Sequence, residues 1–235
     1  RGMRKRRPVA PGSCNGFPAP PLPQPQRTTA MIDDPDFFDR QRAVLETAYL
    51  AGTNPRQQSG FARDEDAWER FRRPVVAPVR GDGTYLDIGC ANGLLMECVV
   101  RWAAEAGHAI EPYGLDFSEK LAELARERLP AWRDRIHVGN ALFWEPPMRF
   151  DYVRTELMYV PEGRRREYAE RLLERVVAPG GRLIVCSYGS SRPEGPRAEP
   201  LVEEIGQWGM SIDGVHEVTS PEHGFVITRV VSIAG

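Results

Sequence analysis

The stretch Tyr85-Leu86-Asp87-Ile88-Gly89-Cys90-Ala91-Asn92-Gly93 joins an apolar run to an acid, two glycines and an apolar-periodic segment that starts near Leu94. An acid closing a strand, a tight glycine turn and a helix N-terminus aim backbone N–H groups into the crevice at the carboxyl end of a parallel sheet. Nucleotide-like ligands bind there. The turn departs from the dinucleotide pattern G-x-G-x-x-G. Counted from Gly89, Ala91 stands at the second glycine and Leu94 at the third. The residues therefore favour a nucleotide-like ligand that lacks a pyrophosphate. A second acid, Asp116, follows Gly93 by 23 residues, near the spacing at which an acid reaches ribose hydroxyls in nucleotide folds.

The elements that must hold these residues alternate along the chain. Residues 84–88 read as a strand. Leu95, Cys98, Val99, Trp102 and Ala106 mark a helical stripe after it. Residues 110–115 form a second strand, with Pro112 expected to delay its start. Ser118 is positioned to cap a helix that turns Leu121, Leu124, Ala125 and Leu129 inward. Residues 135–138, 150–154 and 182–187 are further strands. A helix beginning near Pro161 precedes the last of these and is expected to stop at Pro179-Gly180-Gly181. After a short helix over 201–207 come two β-rich segments, 212–219 and 225–233. Ser220-Pro221-Glu222-His223-Gly224 between them is too short for a parallel crossover, so these two strands must be antiparallel neighbours. The rhythm predicts an α/β fold: a doubly wound, mostly parallel seven-stranded sheet ending in an antiparallel β-hairpin, with helices on both faces.

Before the sheet, residues 36–49 and 65–71 have helical periodicity and form a helical N-terminal cap over 31–80. Residues 81–235 form the main domain. Residues 1–30 hold seven of the 21 prolines and little apolar periodicity. They are expected to be a disordered Pro/Arg-rich tail, with Met31 as an alternative start. No apolar h-region follows Arg4-Lys5-Arg6-Arg7, so a secretory signal is not expected.

The net charge is −2, yet residues 1–30 carry six basic residues and no acid, which leaves −8 on the remainder. An acidic body disfavours a nucleic-acid partner. No run approaches the length of a membrane span. Cys14, Cys90, Cys98 and Cys186 have neither C-x-x-C spacing nor histidine neighbours. No disulfide framework or metal site is expected, and a reducing cytoplasm fits. The basic residues are arginine except Lys5 and Lys120, a bias of composition rather than a set of chosen sites.

Taken in order, the motifs resemble those of the class I S-adenosylmethionine-dependent methyltransferases, over roughly residues 55–235. Asp87 to Gly93 is similar to the family's first motif, with Ala91 in place of the middle glycine. Gly114-Leu115-Asp116-Phe117-Ser118 is similar to the second, and Val138-Gly139-Asn140-Ala141 to the third, with Asn140 where the family more often has aspartate. Pro179-Gly180-Gly181-Arg182-Leu183 is similar to the turn before strand five. The resemblance implies S-adenosylmethionine as cofactor. It implies a binding set of Asp87, Gly89, Cys90, Ala91, Gly93, Asp116, Phe117, Asn140, Ala141 and Thr155. Asp87 would lie near the cofactor's ammonium, Asp116 at the ribose hydroxyls, and Phe117 with Asn140 and Ala141 around the adenine.

Methyl transfer is an in-line displacement on an already activated sulfonium carbon, so alignment and exclusion of water can suffice. Glu156 and Tyr159, after strand four, are the candidates for proton removal or acceptor positioning. His108, His137, His216 and His223 have no motif partners, and a histidine base is not expected. The Asp/Asn-Pro-Pro-aromatic signature of adenine-nitrogen or glutamine-amide methylation is replaced by Thr155-Glu156-Leu157-Met158. The resemblance therefore favours a small organic acceptor. A nicotinamide-dependent oxidoreductase and a non-catalytic S-adenosylmethionine-binding protein are the competing readings. The acceptor and the oligomeric state are not legible.

Overall fold

A computed structural model describes residues 36–235, so the expectations for residues 1–30, for Met31 and for Cys14 lie outside the described residues. The helices are α1 (Phe37–Leu50), α2 (Glu65–Arg72), α3 (Leu94–Glu105), α4 (Glu119–Arg128), α5 (Arg165–Arg171) and α6 (Leu201–Gln207). The strands are β1 (Gly83–Ile88), β2 (Ile110–Asp116), β3 (Ile136–Val138), β4 (Phe150–Thr155), β5 (Val177–Tyr188), β6 (Ile212–Thr219) and β7 (Val226–Ala234). They form one seven-stranded sheet in the order β3-β2-β1-β4-β5-β7-β6. β1 to β5 are parallel, while β7 runs antiparallel to both β5 and β6. The expected α/β architecture and its closing hairpin are both present.

The order of strands explains where a ligand fits. β1 is flanked by β2 on one side and β4 on the other, so the chain's crossovers leave in opposite directions from that point. A crevice opens at the carboxyl ends of strands at such a switch. Tyr85, Leu86, Asp87 and Ile88 of β1 are all buried, as a central strand covered on both faces requires. One face packs Leu86, Val153, Leu183 and Val185 beside Tyr168 and Leu172 of the α5 segment and Leu201 and Ile205 of α6. The other packs Tyr85, Tyr152 and Ile184 with Trp68 of α2 and Val99 and Trp102 of α3.

Three local readings are refined. β2 begins at Ile110, before Pro112, rather than late. Ala109 O accepts from Gly83 and Leu115 O from Gly89, so the odd residues of β2 bond to β1 and the even ones point the other way. β3 joins that side only from Gly114 onward. The missing N–H of Pro112 therefore faces an open edge and costs no ladder bond. The helix before β5 ends earlier than Pro179: its last turn widens over Leu172–Val176 and the strand starts at Val177. Pro179-Gly180-Gly181 lies inside a bulge of β5, where the register jumps from Phe150↔Val177 to Tyr152↔Arg182 and Gly180 takes φ +80°. Phe225 belongs to the hairpin loop, its carbonyl accepting from Ser220 N at 2.7 Å.

Candidate active site

The loop after β1 is tied down by backbone bonds. Gly89 N and Cys90 N both donate to Leu115 O, at 2.7 and 3.2 Å, and Gly93 N donates to Cys90 O at 2.8 Å. Gly89 has φ +75°, and a Cβ there would meet the Tyr159 ring at 2.6 Å. Ala91 is left-handed at φ +47°, a conformation that disfavours any side chain. It sits where the resemblance places the motif's middle glycine. Its N–H donates to Asp116 Oδ2 at 2.9 Å, which helps to hold it there.

Asp116 closes β2 and is 4% exposed. Its Oδ1 accepts from Ser118 N at 2.9 Å. A carboxylate has about four lone-pair sites, so acceptor capacity remains for a ligand. Burial raises its pKa to about 6 against the opposing pull of the Ser118 and Ala91 N–H groups. Ser118 caps α4 as expected, accepting from Leu121 N at 3.2 Å. The same hydroxyl donates to Glu46 of α1 at 2.8 Å, and Lys120 pairs with Glu46 at 2.7 Å.

Asp87 lies beside Arg154 in the β1–β4 register. Its Oδ1 faces Arg154 Nη1 at 3.3 Å, while Oδ2 is buried without a partner. Burial raises its pKa to about 6 although Arg154 pulls it down. Arg154, 3% exposed, also donates to Ile88 O at 3.1 Å, to the Tyr159 hydroxyl at 3.0 Å and to Glu156. Tyr159 in turn donates to Glu156 at 2.9 Å. Burial pushes the Tyr159 hydroxyl well above its ordinary pKa, so it stays protonated and its basic form is not populated.

These groups border a cleft holding about 790 Å³ of empty space, counted out to solvent. Gly89, Ala91, Asp116, Phe117, Asn140, Ala141, Glu156 and Tyr159 line it, together with Met158. α1 supplies the opposite wall through Phe38, Gln41, Leu45 and Tyr49, one stripe at helical spacing. No residue of α1 is fully buried; its stripe borders the cleft, and Phe38 also packs against the core. Asn140 Oδ1 accepts from Leu142 N at 3.0 Å, and among the described residues its Nδ2 has no partner.

The structure thus brings eight of the sequence-predicted residues to one cleft and leaves four off its wall. Cys90 turns its side chain into a cluster with Met96, Ala122, Ala125 and Ile136, where burial raises its pKa well above the usual thiol value. Gly93 caps α3 at φ +74°, and a Cβ there would strike Leu129 at 2.5 Å. The left-handed backbone and that close packing both call for glycine here. The Thr155 hydroxyl lies 2.6 Å from that of Tyr168, inside the core. Asp87 sits behind the loop, not in the cleft lining. His137 packs on Trp144, with ring centroids 5.4 Å apart, and lines no part of the cleft.

Two residues escaped the sequence reading. Asn92 is fully buried. Its Nδ2 donates to Pro55 O at 2.8 Å and its Oδ1 accepts from Ser59 at 2.6 Å, stapling the 54–60 segment to the motif loop. Arg154 carried a readable signal, a cation near the end of a mostly buried strand, two residues before an acid.

A family model described as a methyltransferase domain matches residues 86–181. The match supports the resemblance of the motifs to the class I S-adenosylmethionine-dependent methyltransferases. A demethylmenaquinone methyltransferase of Clavibacter sepedonicus is 27% identical over 173 residues, 71% of this chain and 60% of that relative. The chain thus spans less than two thirds of the relative's length. A Burkholderia thailandensis 1,6-didemethyltoxoflavin-N1-methyltransferase, solved with 1,6-didemethyltoxoflavin and S-adenosylhomocysteine, superposes with a TM-score of 0.56 at 18% identity. The match covers 92% of each chain. The [4+2]-cyclase SpnF superposes with a TM-score of 0.57 at 19% identity over 83% of this chain and 93% of that one. At such identities the likeness is one of fold, and the fold alone does not fix the reaction.

Two outcomes follow from this geometry. Ala91→Gly relieves the left-handed strain, with an expected gain of about 1 kcal/mol and a rise of about 2–4 °C in the midpoint of thermal unfolding. A lowered midpoint would show that the methyl group contributes packing. Asp87 and Asp116 have folded-state pKa values raised from 3.8 to about 6. The folded protein therefore binds more protons than the unfolded chain between these values, and this contribution to stability is lost as pH rises from about 4 to 6. Urea titrations of the ligand-free protein across that range should show the loss. Asp87→Asn/Asp116→Asn should flatten it.

Proposed function

We propose that this protein moves a methyl group from S-adenosylmethionine to a small organic acceptor by in-line displacement. The observation that carries the reading is Asp116, a buried, cleft-lining carboxylate at the end of β2 with lone-pair sites left beyond its bonds to Ala91 and Ser118. Those sites suit the paired hydroxyls of a ribose. Asn140 Nδ2 is left to donate to an adenine edge, and Phe117 borders the same end of the cleft. Asp87 Oδ2, buried and unpartnered, suits the ammonium of the cofactor's amino-acid end, reached directly or through water. Residues 36–80 act as a cap, with α1 walling the cleft.

When bound, S-adenosylmethionine supplies an activated methyl group on a sulfonium. The protein's part is then alignment and exclusion of water. Glu156 is the one cleft-lining acid besides Asp116. Tyr159 and Arg154 fix its carboxylate by hydrogen bonds, so Glu156 is placed to take a proton from an acceptor that releases one, and Tyr159 positions it. Met158, 49% exposed at the rim, offers apolar surface to an organic acceptor. Both methyltransferases named above act, by their names, on small organic compounds. The acidic body argues against nucleic acid. Among the described residues no helix is long and apolar enough to cross a membrane. Cys90, Cys98 and Cys186 are free and buried, in keeping with a cytoplasmic location.

Asp116→Ala should weaken S-adenosylhomocysteine binding by about 1–3 kcal/mol in calorimetry, and the unsubstituted protein should show no binding of NADH. Unchanged affinity in the variant would remove Asp116 from the ribose. Tight NADH binding without S-adenosylhomocysteine binding would replace the methyltransferase reading with the oxidoreductase one. Labelled-methyl transfer across an acceptor panel separates a working enzyme from a protein that only holds the cofactor.

A further inference from the structure

Glu156 keeps one carboxylate oxygen free. Its Oε1 accepts from both Arg154 and the Tyr159 hydroxyl. Among the described residues no group bonds its Oε2. The side chain is 14% exposed, and the residue lines the cleft. Tyr159 stays protonated and gives its one proton to Oε1, so it does not compete for a ligand at Oε2. The loop after β4 thus holds a single acceptor atom at the cleft in a fixed place.

Across the cleft, α1 offers polar groups without full charge. Gln41 and Tyr49 both line it, and among the described residues neither side chain has a hydrogen-bond partner. Tyr49 is held from behind by Gly60, where φ is +73° and a Cβ would meet the hydroxyl oxygen at 2.5 Å. The neighbouring Ser59 is tied to Asn92 of the motif loop. Around these groups the wall is apolar, with Phe38 and Leu45 on α1 and Met158 at the rim. Rings and a thioether suit the faces of a flat ligand. Among the described residues no lysine, arginine or histidine lines the cleft. Arg42 reaches the Phe117 ring, 5.4 Å from its centroid, but it pairs with Asp39 at 3.0 Å and is not part of the wall. An anionic group beside Oε2 would therefore meet like charge with no cation to offset it, whereas an N–H or O–H group would find an open lone pair. A protonated amine has no lone pair with which to take a methyl group, which leaves the uncharged donors.

We propose that the methyl acceptor is an uncharged planar compound whose N–H or O–H group donates to Glu156 Oε2, and that the same oxygen turns anionic compounds away. The inference rests on reading the cleft as an S-adenosylmethionine site, and it adds the charge and hydrogen-bonding class of the second ligand. Because Arg154 and Tyr159 occupy Oε1, the donor has one place to go. Glu156 then selects the acceptor as well as receiving its proton, and Gln41 and Tyr49 are left for neutral polar substituents.

Calorimetry on the full chain, first saturated with S-adenosylhomocysteine, tests this with four probes substituted at the same ring carbon. Naphthol and naphthamide carry donors without charge. Naphthoate has the shape of naphthamide with a negative charge, and methoxynaphthalene lacks the donor of naphthol. The complex should bind naphthamide about tenfold or more tighter than naphthoate, and naphthol tighter than methoxynaphthalene by a similar factor. Glu156→Gln removes the charge at nearly constant shape and should close the gap between naphthamide and naphthoate. The proposal is overturned if naphthoate binds the unsubstituted complex as well as naphthamide does, or if neither binds. It is overturned too if naphthol gains nothing over methoxynaphthalene, or if the gap survives in Glu156→Gln. The comparison on the unsubstituted protein decides the matter even where the variant does not fold. Failure of the unsubstituted protein to bind S-adenosylhomocysteine would instead sink the cofactor reading, a distinct result.

Discussion

The Asp116 carboxylate bonds to two separate parts of the chain. One oxygen fixes Ala91 N in the loop after β1, and the other fixes Ser118 N at the start of α4. Ser118 then passes the constraint to α1 through Glu46. The strained alanine, the cap of α4 and the far wall of the cleft thus depend on a single buried acid. A neutral side chain of the same shape would keep the packing, but its amide end would offer N–H groups to N–H groups. Leaving such donors unpaired in the interior costs free energy. The acid is also the group the cleft offers to a ligand, so cohesion of the ligand-free loop and recognition share the same atoms.

Charge around the second acid follows a different logic. Asp87, Arg154 and Glu156 put two acids and one base within bonding distance, almost wholly out of water. Buried ion pairs rarely add net stability, because desolvation takes back most of the Coulomb gain. What this triad provides is direction. Arg154 holds Ile88 O, Tyr159 and Glu156 in one arrangement, and the Tyr159 ring in turn fills the space that Gly89 leaves open.

The fold was legible to the extent that it depends on periodicity. The stripe of α3, the serine cap of α4 and the short hairpin loop each stand in the sequence as local signals, and the structure agrees with each. The misjudged boundaries were set by neighbours. Pro112 sits in a strand because β3 is too short to reach it, and Pro179-Gly180-Gly181 is absorbed by a bulge that only the β4 register reveals. The site divides in the same way. Residues whose side chains point out of the loop after β1 or off the ends of β2 and β3 were readable from motif spacing. Cys90 and Thr155 belong to the same motifs but turn their side chains into the core, since spacing does not say which way a side chain faces. Asn92 was missed because its partners, Pro55 and Ser59, are more than 30 residues away in sequence.

β7 follows β6 along the chain yet lies between β5 and β6 in the sheet. β6 therefore has no backbone partner until the strand after it has been made. During synthesis the parallel half of the sheet can assemble in order, but β5 keeps an open edge and β6 stays unpaired until Val226–Ala234 leaves the ribosome. For that interval a growing chain presents an exposed edge and a lone strand, the features by which neighbouring nascent chains pair wrongly. β7 covers both edges at once, and its arrival ends that interval of exposure.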